Sequence, residues 1–267
     1  MHLEELIEPV TALSKEAGKA ILEVYATDFD VQSKDDASPL TQADLAAHRR
    51  IVAGLRGLTP DIPIISEESG LPAFAERSQW PRYWLIDPLD GTKEFVSRNG
   101  EFTVNIALIE ANRPVFGVVH VPVQEKTYVG CEGYGAELRE TGTAANRIAV
   151  ATSSSQPVRV VGSRSHRGSS LDAFLEKLGA SDMVAMGSSL KFCTVAEGKA
   201  DIYPRLGPTS EWDTAAAQAV VEQAGGQVLE LDGNPLSYNK KSEILNPYFV
   251  VVGPTDHDWL ALLADDE

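Results

Sequence analysis

The run Trp84-Leu85-Ile86-Asp87-Pro88-Leu89-Asp90-Gly91-Thr92 is an apolar stretch that ends in two aspartates. A strand terminus followed by Asp-x-x-Asp-Gly in a tight turn aims two carboxylates and the Leu89 carbonyl at one point, a donor set suited to a hard cation. Taken alone, Asp90-Gly91 reads as an ordinary turn. Glu67-Glu68 closes a second strand pattern, Ile62–Ser66, although adjacent acids in a loop by themselves describe a solvated surface. Asp213 follows Trp212 at the start of an Ala-rich helix, where the ordinary role is an N-cap. Together the three segments bring acidic oxygens from separate parts of the chain, as Mg²⁺ chemistry on a phosphate ester requires. Two such ions roughly 4 Å apart activate water, polarise the phosphoryl oxygens and neutralise the leaving alkoxide. All-oxygen ligation favours Mg²⁺ over zinc. His2, His48, His120, His166 and His257 share no ligand spacing, and Cys131 and Cys193 sit in no zinc motif.

The elements that must carry these groups follow from periodicity. Apolar residues at helical intervals over 3–24 predict a long amphipathic helix, and a second helix is expected from Thr41 to Leu55, after Pro39. Strands are expected at 62–66, 83–86, 102–109, 115–121 and 126–130, so the first half is two helices beside a largely antiparallel sheet. After the polar stretch 140–156 the pattern alternates. Strands at 158–162, 183–186 and 201–203 precede helices at 170–178, 189–197 and 213–224, followed by strands 227–231 and 248–252 and a short helix. The expected class is α/β, built in α+β layers. A metal-binding α+β subdomain (1–145) would meet an α/β substrate-binding subdomain (146–267). The stretches 71–82 and 136–156 contain no motif.

Composition narrows the partners. With 23 basic against 39 acidic residues the net charge is −16, which argues against a non-specific nucleic-acid surface. If the chain binds phosphates, metals must do much of the work. No apolar run approaches the roughly 20 residues of a spanning helix, and the N-terminus lacks the pattern of a signal peptide. A cytoplasmic setting with reduced thiols is expected. Oligomeric state is not written in the sequence.

Asp87-Pro-Leu-Asp-Gly-Thr92, Ile65-Ser-Glu-Glu-Ser69 and Glu211-Trp-Asp213 resemble the three signature segments of the inositol monophosphatase superfamily. Within it, 87–95, Asn99-Gly-Glu-Phe-Thr-Val-Asn-Ile-Ala107 and Gly187-Ser-Ser-Leu-Lys-Phe-Cys193 are similar to the CysQ-type 3′(2′),5′-bisphosphate nucleotidases. The resemblance runs from the first helix to Leu245-Asn-Pro247. It implies an α-β-α-β-α sandwich and hydrolysis of the 3′-phosphate of adenosine 3′,5′-bisphosphate to AMP and phosphate, with the 5′-phosphosulfate analogue as a further substrate. It implies two or more Mg²⁺ ions. Glu67, Asp87 and the Leu89 carbonyl would hold the first, and Asp87, Asp90 and Asp213 the second. Asp44 and Thr92, with Glu67, would activate the attacking water. Substrate contacts are implied for Glu67, Leu89, Asp90, Gly91, Thr92, Ser163, His166, Gly187, Lys191 and Asp213. Lithium inhibition and clearance of a by-product of sulfate assimilation also belong to the family. So does peripheral attachment at the inner face of the membrane, although no basic amphipathic segment here demands it.

Each residue also has a plainer reading. Thr41-Gln-Ala-Asp44 resembles a capping box, Lys191 a solvated first-turn lysine, and His166 a structural histidine. Ser188 and Ser189 open a predicted helix whose free N–H groups suit an anion, and Gly187 permits close backbone approach. Within the superfamily, inositol-1-phosphate and fructose 1,6-bisphosphate are the competing substrates, and Lys93-Glu94 favours the nucleotidase branch. An aspartyl-phosphate phosphatase would need a single residue between the aspartates, where this chain has Pro88 and Leu89. No Asp-x-Asp-x-Asp-Gly loop supports a calcium-binding protein.

Overall fold

The computed structural model describes residues 2–27, 39–163, 169–253 and 257–263. A 3-10 turn (Leu3–Leu6) leads into helix α1 (Ile7–Tyr25). Helix α2 (Pro39–Leu58) begins two residues earlier than expected. Proline suits a first helical position, where its missing N–H is no loss. Thr41 therefore lies inside the helix, and the capping-box reading of Thr41 to Asp44 does not describe how α2 starts. Ala43, Ala47, Ile51 and Leu55 recur every four residues along α2 and are fully buried.

The first sheet is sequential: β1 (Ile64–Ser66), β2 (Arg82–Asp90), β3 (Thr103–Glu110), β4 (Arg113–Val121), β5 (Lys126–Cys131), β6 (Gly135–Glu140) and β7 (Asn146–Arg147). β1 runs parallel to β2 and the remaining neighbours are antiparallel. Short helices α3 (Phe74–Arg77) and α4 (Thr92–Val96) flank β2. β6 and β7 lie in the stretch without a motif. β7 is only two exposed residues, and β6 alternates just two core residues, Ala136 and Leu138, with Glu137, which is hidden behind Arg139 and the Tyr134 hydroxyl, so neither carries a long apolar signature.

The second sheet has the order β11-β12-β10-β8-β9, from β8 (Val158–Gly162), β9 (Ser181–Ala185), β10 (Ile202–Arg205), β11 (Gln227–Glu230) and β12 (Phe249–Val252). β9, β8 and β10 are parallel neighbours, and β12 is antiparallel to β10 and β11. Its helices are α5 (Ser169–Leu178), α6 (Leu190–Ala196), α7 (Glu211–Gln223) and α8 (Trp259–Leu263).

Three cores stack these elements. α1 and α2 pack on one face of the first sheet, against Trp84, Ile106 and Phe116. α6 and α7 fill the space between the sheets, against Leu85, Val119, Tyr203 and Val251. Leu171 and Phe174 of α5 and Trp259 of α8 cover the outer face of the second sheet. The layers read α-β-α-β-α. Covered on both faces, β2, β3 and β4 are buried along nearly their whole length, which explains their continuous apolar runs. Among the described residues no helix is long and apolar enough to cross a membrane.

The Ala-rich sequence of α7 reflects how closely it approaches the first sheet. A Cβ on Gly117 would lie 2.2 Å from the Ala216 carbonyl oxygen, and one on Gly130 2.5 Å from that of Ala219. Gly117→Ala must push α7 off the sheet and is expected to cost about 3 kcal/mol in urea unfolding, at the upper end of ordinary overpacking. A cost under about 0.5 kcal/mol would mean that α7 is not clamped there.

Candidate active site

In a regular strand, residues three apart point to opposite faces. Asp87 and Asp90 escape this rule because β2 carries an extra residue: Asp87 pairs with Asn105 and Asp90 with Thr103, three steps against two. Such a bulge re-aims the following side chain. The strand thus continues through both aspartates, whereas the sequence reading ended it at Ile86 and put them in a tight turn. The Leu89 N–H donates to Asp87 Oδ1 at 3.0 Å. Gly91 then takes φ = 100°, a left-handed conformation that glycine adopts without strain.

Parallel pairing of β1 and β2 delivers the next acid. Ser66 lies in register with Ile86, and the Glu67 N–H donates to the Ile86 carbonyl at 3.2 Å, so Glu67 stands beside Asp87. The third acid comes from α7, whose N-cap is Ser210 rather than Asp213. Asp213 occupies the third helical position, and its Oδ2 accepts from the Ser210 N–H (2.9 Å) and Thr209 Oγ1 (2.7 Å). Capping uses one carboxylate oxygen and leaves the other for a ligand. Carboxylate oxygens of Glu67, Asp87 and Asp213 lie within 4.8 Å of one another. Asp90 stands outside that triplet, with Oδ2 held by Ser189.

Like charges crowd this corner. Burial raises the Asp87 carboxyl well above its usual range, and the charges of Asp90, Glu67, Asp213 and Asp44 raise it further. Glu67 is exposed to solvent as a residue, yet the surrounding protein and Asp213 push it up to about 7, against a hydrogen bond to Asp87. Asp213 rises to about 6 through burial and Asp90, opposed by Thr209 and Ser210. Asp44, on α2, rises to about 8 through burial, then Glu68 and Glu67. Its Oδ1 is buried and has no hydrogen-bond partner among the described residues.

Two adjoining clefts open beside the acids. One, of about 150 Å³, is lined by Asp90, Gly91, Ser188, Lys191 and Asp213. The other, of about 420 Å³, has walls from Leu171, Pro204, Leu206 and Pro208. Lys93, Ser163, Tyr203 and Arg205 line both. Lys191 is buried rather than solvated, with Nζ 5.8 Å from the Tyr203 ring centre. Burial lowers its pKa, and Asp90 opposes the shift. Thr92 is exposed at the start of α4. His166 lies outside the described residues.

The expectation of free amides at Ser188 and Ser189 needs correction at Ser189. α6 begins at Leu190, the Ser189 N–H is taken by Asp90 Oδ2 (2.6 Å), and the Gly187 N–H by Glu101 Oε2 (2.8 Å). Gly187 is glycine because a Cβ there would sit 2.5 Å from Glu94 Cγ. Sequence reasoning also passed over Arg205 and Arg77. Arg205 had a usable signal, a cation closing a strand in an acidic chain. Arg77, from a stretch without a motif, is fully buried and donates to Asn239 Oδ1 and to the carbonyls of Lys241 (2.9 Å) and Ser242 (2.7 Å). The Asn239 N–H in turn donates to both carboxylate oxygens of Glu211, so this strap secures the first turn of α7.

Residues 2–264 match the sequence profile of the inositol monophosphatase family. The chain belongs to that family. It is 50% identical over 248 residues to the 3′(2′),5′-bisphosphate nucleotidase CysQ of Escherichia coli O157:H7, covering 92% of this chain and 99% of that protein. To the protein of the same name from Haemophilus influenzae it is 35% identical over 260 residues, 97% of each. The crystal structure of CysQ from Bacteroides thetaiotaomicron matches with a TM-score of 0.83 at 40% identity, over 92% of this chain and 96% of that one. The layered fold and the enzyme class expected from the sequence, a phosphatase of the 3′(2′),5′-bisphosphate nucleotidase type, are those of these relatives.

Inositol monophosphatase family members are metal-dependent, and this acidic corner fits a divalent cation. It gathers three carboxylates at ligand spacing, adds a buried carboxylate oxygen that has no partner among the described residues, and uses oxygen donors throughout. The raised carboxyls carry a signed expectation. Their folded pKa values exceed the unfolded ones, so their contribution to stability is fully present below about pH 4 and is lost as pH rises through about 6 to 8. In EDTA the melting temperature should fall across that window, and Mg²⁺ should reverse the fall. A melting temperature equally insensitive to pH and Mg²⁺ would contradict this.

Proposed function

We propose that this chain is a Mg²⁺-dependent phosphatase that removes the 3′-phosphate of adenosine 3′,5′-bisphosphate, leaving AMP and inorganic phosphate, and that also acts on the 5′-phosphosulfate analogue. The observation that carries the reading is the convergence of Glu67, Asp87 and Asp213 within 4.8 Å beside clefts lined by Lys93, Lys191 and Arg205. The high identity to bisphosphate nucleotidases supports the substrate class.

Glu67, Asp87, the Leu89 carbonyl, Asp90 and Asp213 would hold two or more Mg²⁺ ions. Bound there, the ions supply Lewis-acid neutralisation of charge on the phosphoryl oxygens and the leaving alkoxide, and reverse the local sign of a chain of net charge −16. Asp44 and Thr92, with Glu67, orient the attacking water, and a carboxylate of this set takes its proton. Water attacks the phosphorus in line with the P–O3′ bond. That bond breaks, and the 3′-oxygen leaves with a proton as the ribose hydroxyl. Lys191 pairs with the 5′-phosphate that does not react. Gly91, Ser163, His166 and Gly187 complete the substrate contacts. The apolar walls of the larger cleft suit the base. The enzyme acts in the cytoplasm, in keeping with its two buried free cysteines.

Product analysis by ³¹P NMR in ¹⁸O-water tests both the position and the route. AMP with its 5′-phosphate intact, together with singly labelled inorganic phosphate, is the expected result. Adenosine 3′-phosphate as product, or label left on the protein, would contradict the reading.

A further inference from the structure

Asp90 and Asp213 come from opposite halves of the chain, one at the end of β2 and the other in the first turn of α7, and they carry like charges. Ser189, the N-cap of α6, sits between them with 2% of its surface exposed. Its N–H donates to Asp90 Oδ2 at 2.6 Å. Its Oγ lies 2.8 Å from that same oxygen and 2.6 Å from the Asp213 carbonyl oxygen. On its other side it accepts from Asn105 Nδ2 at 2.9 Å. A hydroxyl has one proton and two lone pairs, so the amide of Asn105 fills a lone pair while the proton goes to Asp90 or to the carbonyl of Asp213.

Asn105 belongs to β3, directly opposite Asp87 in register, and is buried. Its Oδ1 has no hydrogen-bond partner among the described residues. Leaving a buried amide oxygen unpaired is costly, and the arrangement keeps Nδ2 aimed at Ser189 despite that cost. Thr103 Oγ1 adds a further donor to Asp90 Oδ2 at 3.4 Å. Oδ2 of Asp90 is thereby occupied by protein donors, as Oδ2 of Asp213 is by Thr209 and Ser210. Among the described residues no protein donor meets Oδ1 of either carboxylate, which leaves it for a ligand.

We propose that Asn105 and Ser189 are positioning residues. Through one shared hydroxyl they fix Asp90 relative to Asp213, so that both carboxylates present one oxygen to the same divalent cation. The inference rests on the reading of Asp90 and Asp213 as metal ligands given above.

The test is calorimetric titration of substrate-free protein with Mn²⁺, for the wild type, Ser189→Ala, Asn105→Ala and the double variant, with melting temperatures in EDTA. Groups that orient metal ligands typically contribute about 10–100-fold in affinity. Ser189→Ala and Asn105→Ala should each weaken Mn²⁺ binding about tenfold, and the double variant should be no weaker than the worse single one, since both act through one hydroxyl. Unchanged Mn²⁺ affinity in both single variants, with or without a lower melting temperature, would make the pair merely structural and overturn the proposal. A wild type that binds no divalent cation would overturn the metal-site reading itself and this inference with it. Should Ser189→Ala not fold, Asn105→Ser, which keeps a polar side chain too short to reach Ser189, decides the question by the same affinity criterion.

Discussion

Asp87→Asn is expected to abolish turnover and at the same time to make the metal-free protein harder to unfold. Asp87 is the one fully buried member of the acidic triplet, and four other carboxylates raise its pKa further. With Asn, the cation site loses its central charge. A loss of about 10³-fold in kcat/KM, which corresponds to about 4 kcal/mol of transition-state stabilisation, is the expected minimum. Stability should move the other way. Like charges about 5 Å apart repel by roughly 3 kcal/mol at an effective dielectric of about 20, and partial protonation reduces what the native chain bears. A gain of about 1–2 kcal/mol in urea unfolding at pH 8 in EDTA follows. The pH dependence of the melting temperature should flatten in the same variant. A variant that is inactive but less stable than the wild type would mean that Asp87 serves the fold, and the metal-site reading would lose its main support.

Lys191→Met is expected to separate bisphosphate from monophosphate substrates. Lys191 is buried in the smaller cleft, beside Asp90 and Tyr203, and methionine fills nearly the same volume without the charge. A hydrogen bond to a charged group contributes about 1.5–3 kcal/mol, or about 10–150-fold. KM for adenosine 3′,5′-bisphosphate should rise by that factor, while adenosine 3′-phosphate, which lacks the 5′-phosphate, should be turned over nearly as by the wild type. Equal losses on both esters would assign Lys191 to the reacting phosphate or to the fold.

The parts of the site legible in the sequence were those written as residue type over short spacing. Asp87-Pro-Leu-Asp-Gly, Glu67-Glu68 and Trp212-Asp213 could be marked as oxygen donors without coordinates, and the helical intervals over 3–24 and the alternation after residue 156 marked the layers. What could not be read depends on pairing between distant segments. The bulge that turns Asp87 and Asp90 to one side exists only relative to Asn105 and Thr103 of β3. The commitment of the Gly187 and Ser189 amides to Glu101 and Asp90 depends on residues 86 and 99 positions away. Arg77 sits in a polar stretch that gives no periodic signal, because its role is to satisfy carbonyls of the 239–242 loop rather than to pack. β6 and β7 were invisible for a related reason: β6 gives the core only Ala136 and Leu138, with the Glu137–Arg139 ion pair between and beside them, and β7 pairs over just two residues.

Phosphate release from adenosine 3′,5′-bisphosphate, followed with Mg²⁺ and with EDTA beside inositol-1-phosphate and fructose 1,6-bisphosphate at equal concentration, is the most direct measurement of what this acidic corner does. Fast release from the nucleotide, dependent on Mg²⁺ and much slower from the other two esters, is the expected result. Preference for inositol-1-phosphate or fructose 1,6-bisphosphate would contradict the proposed substrate, and release that persists in EDTA, or none from any of the three, would contradict a metal-dependent phosphatase altogether.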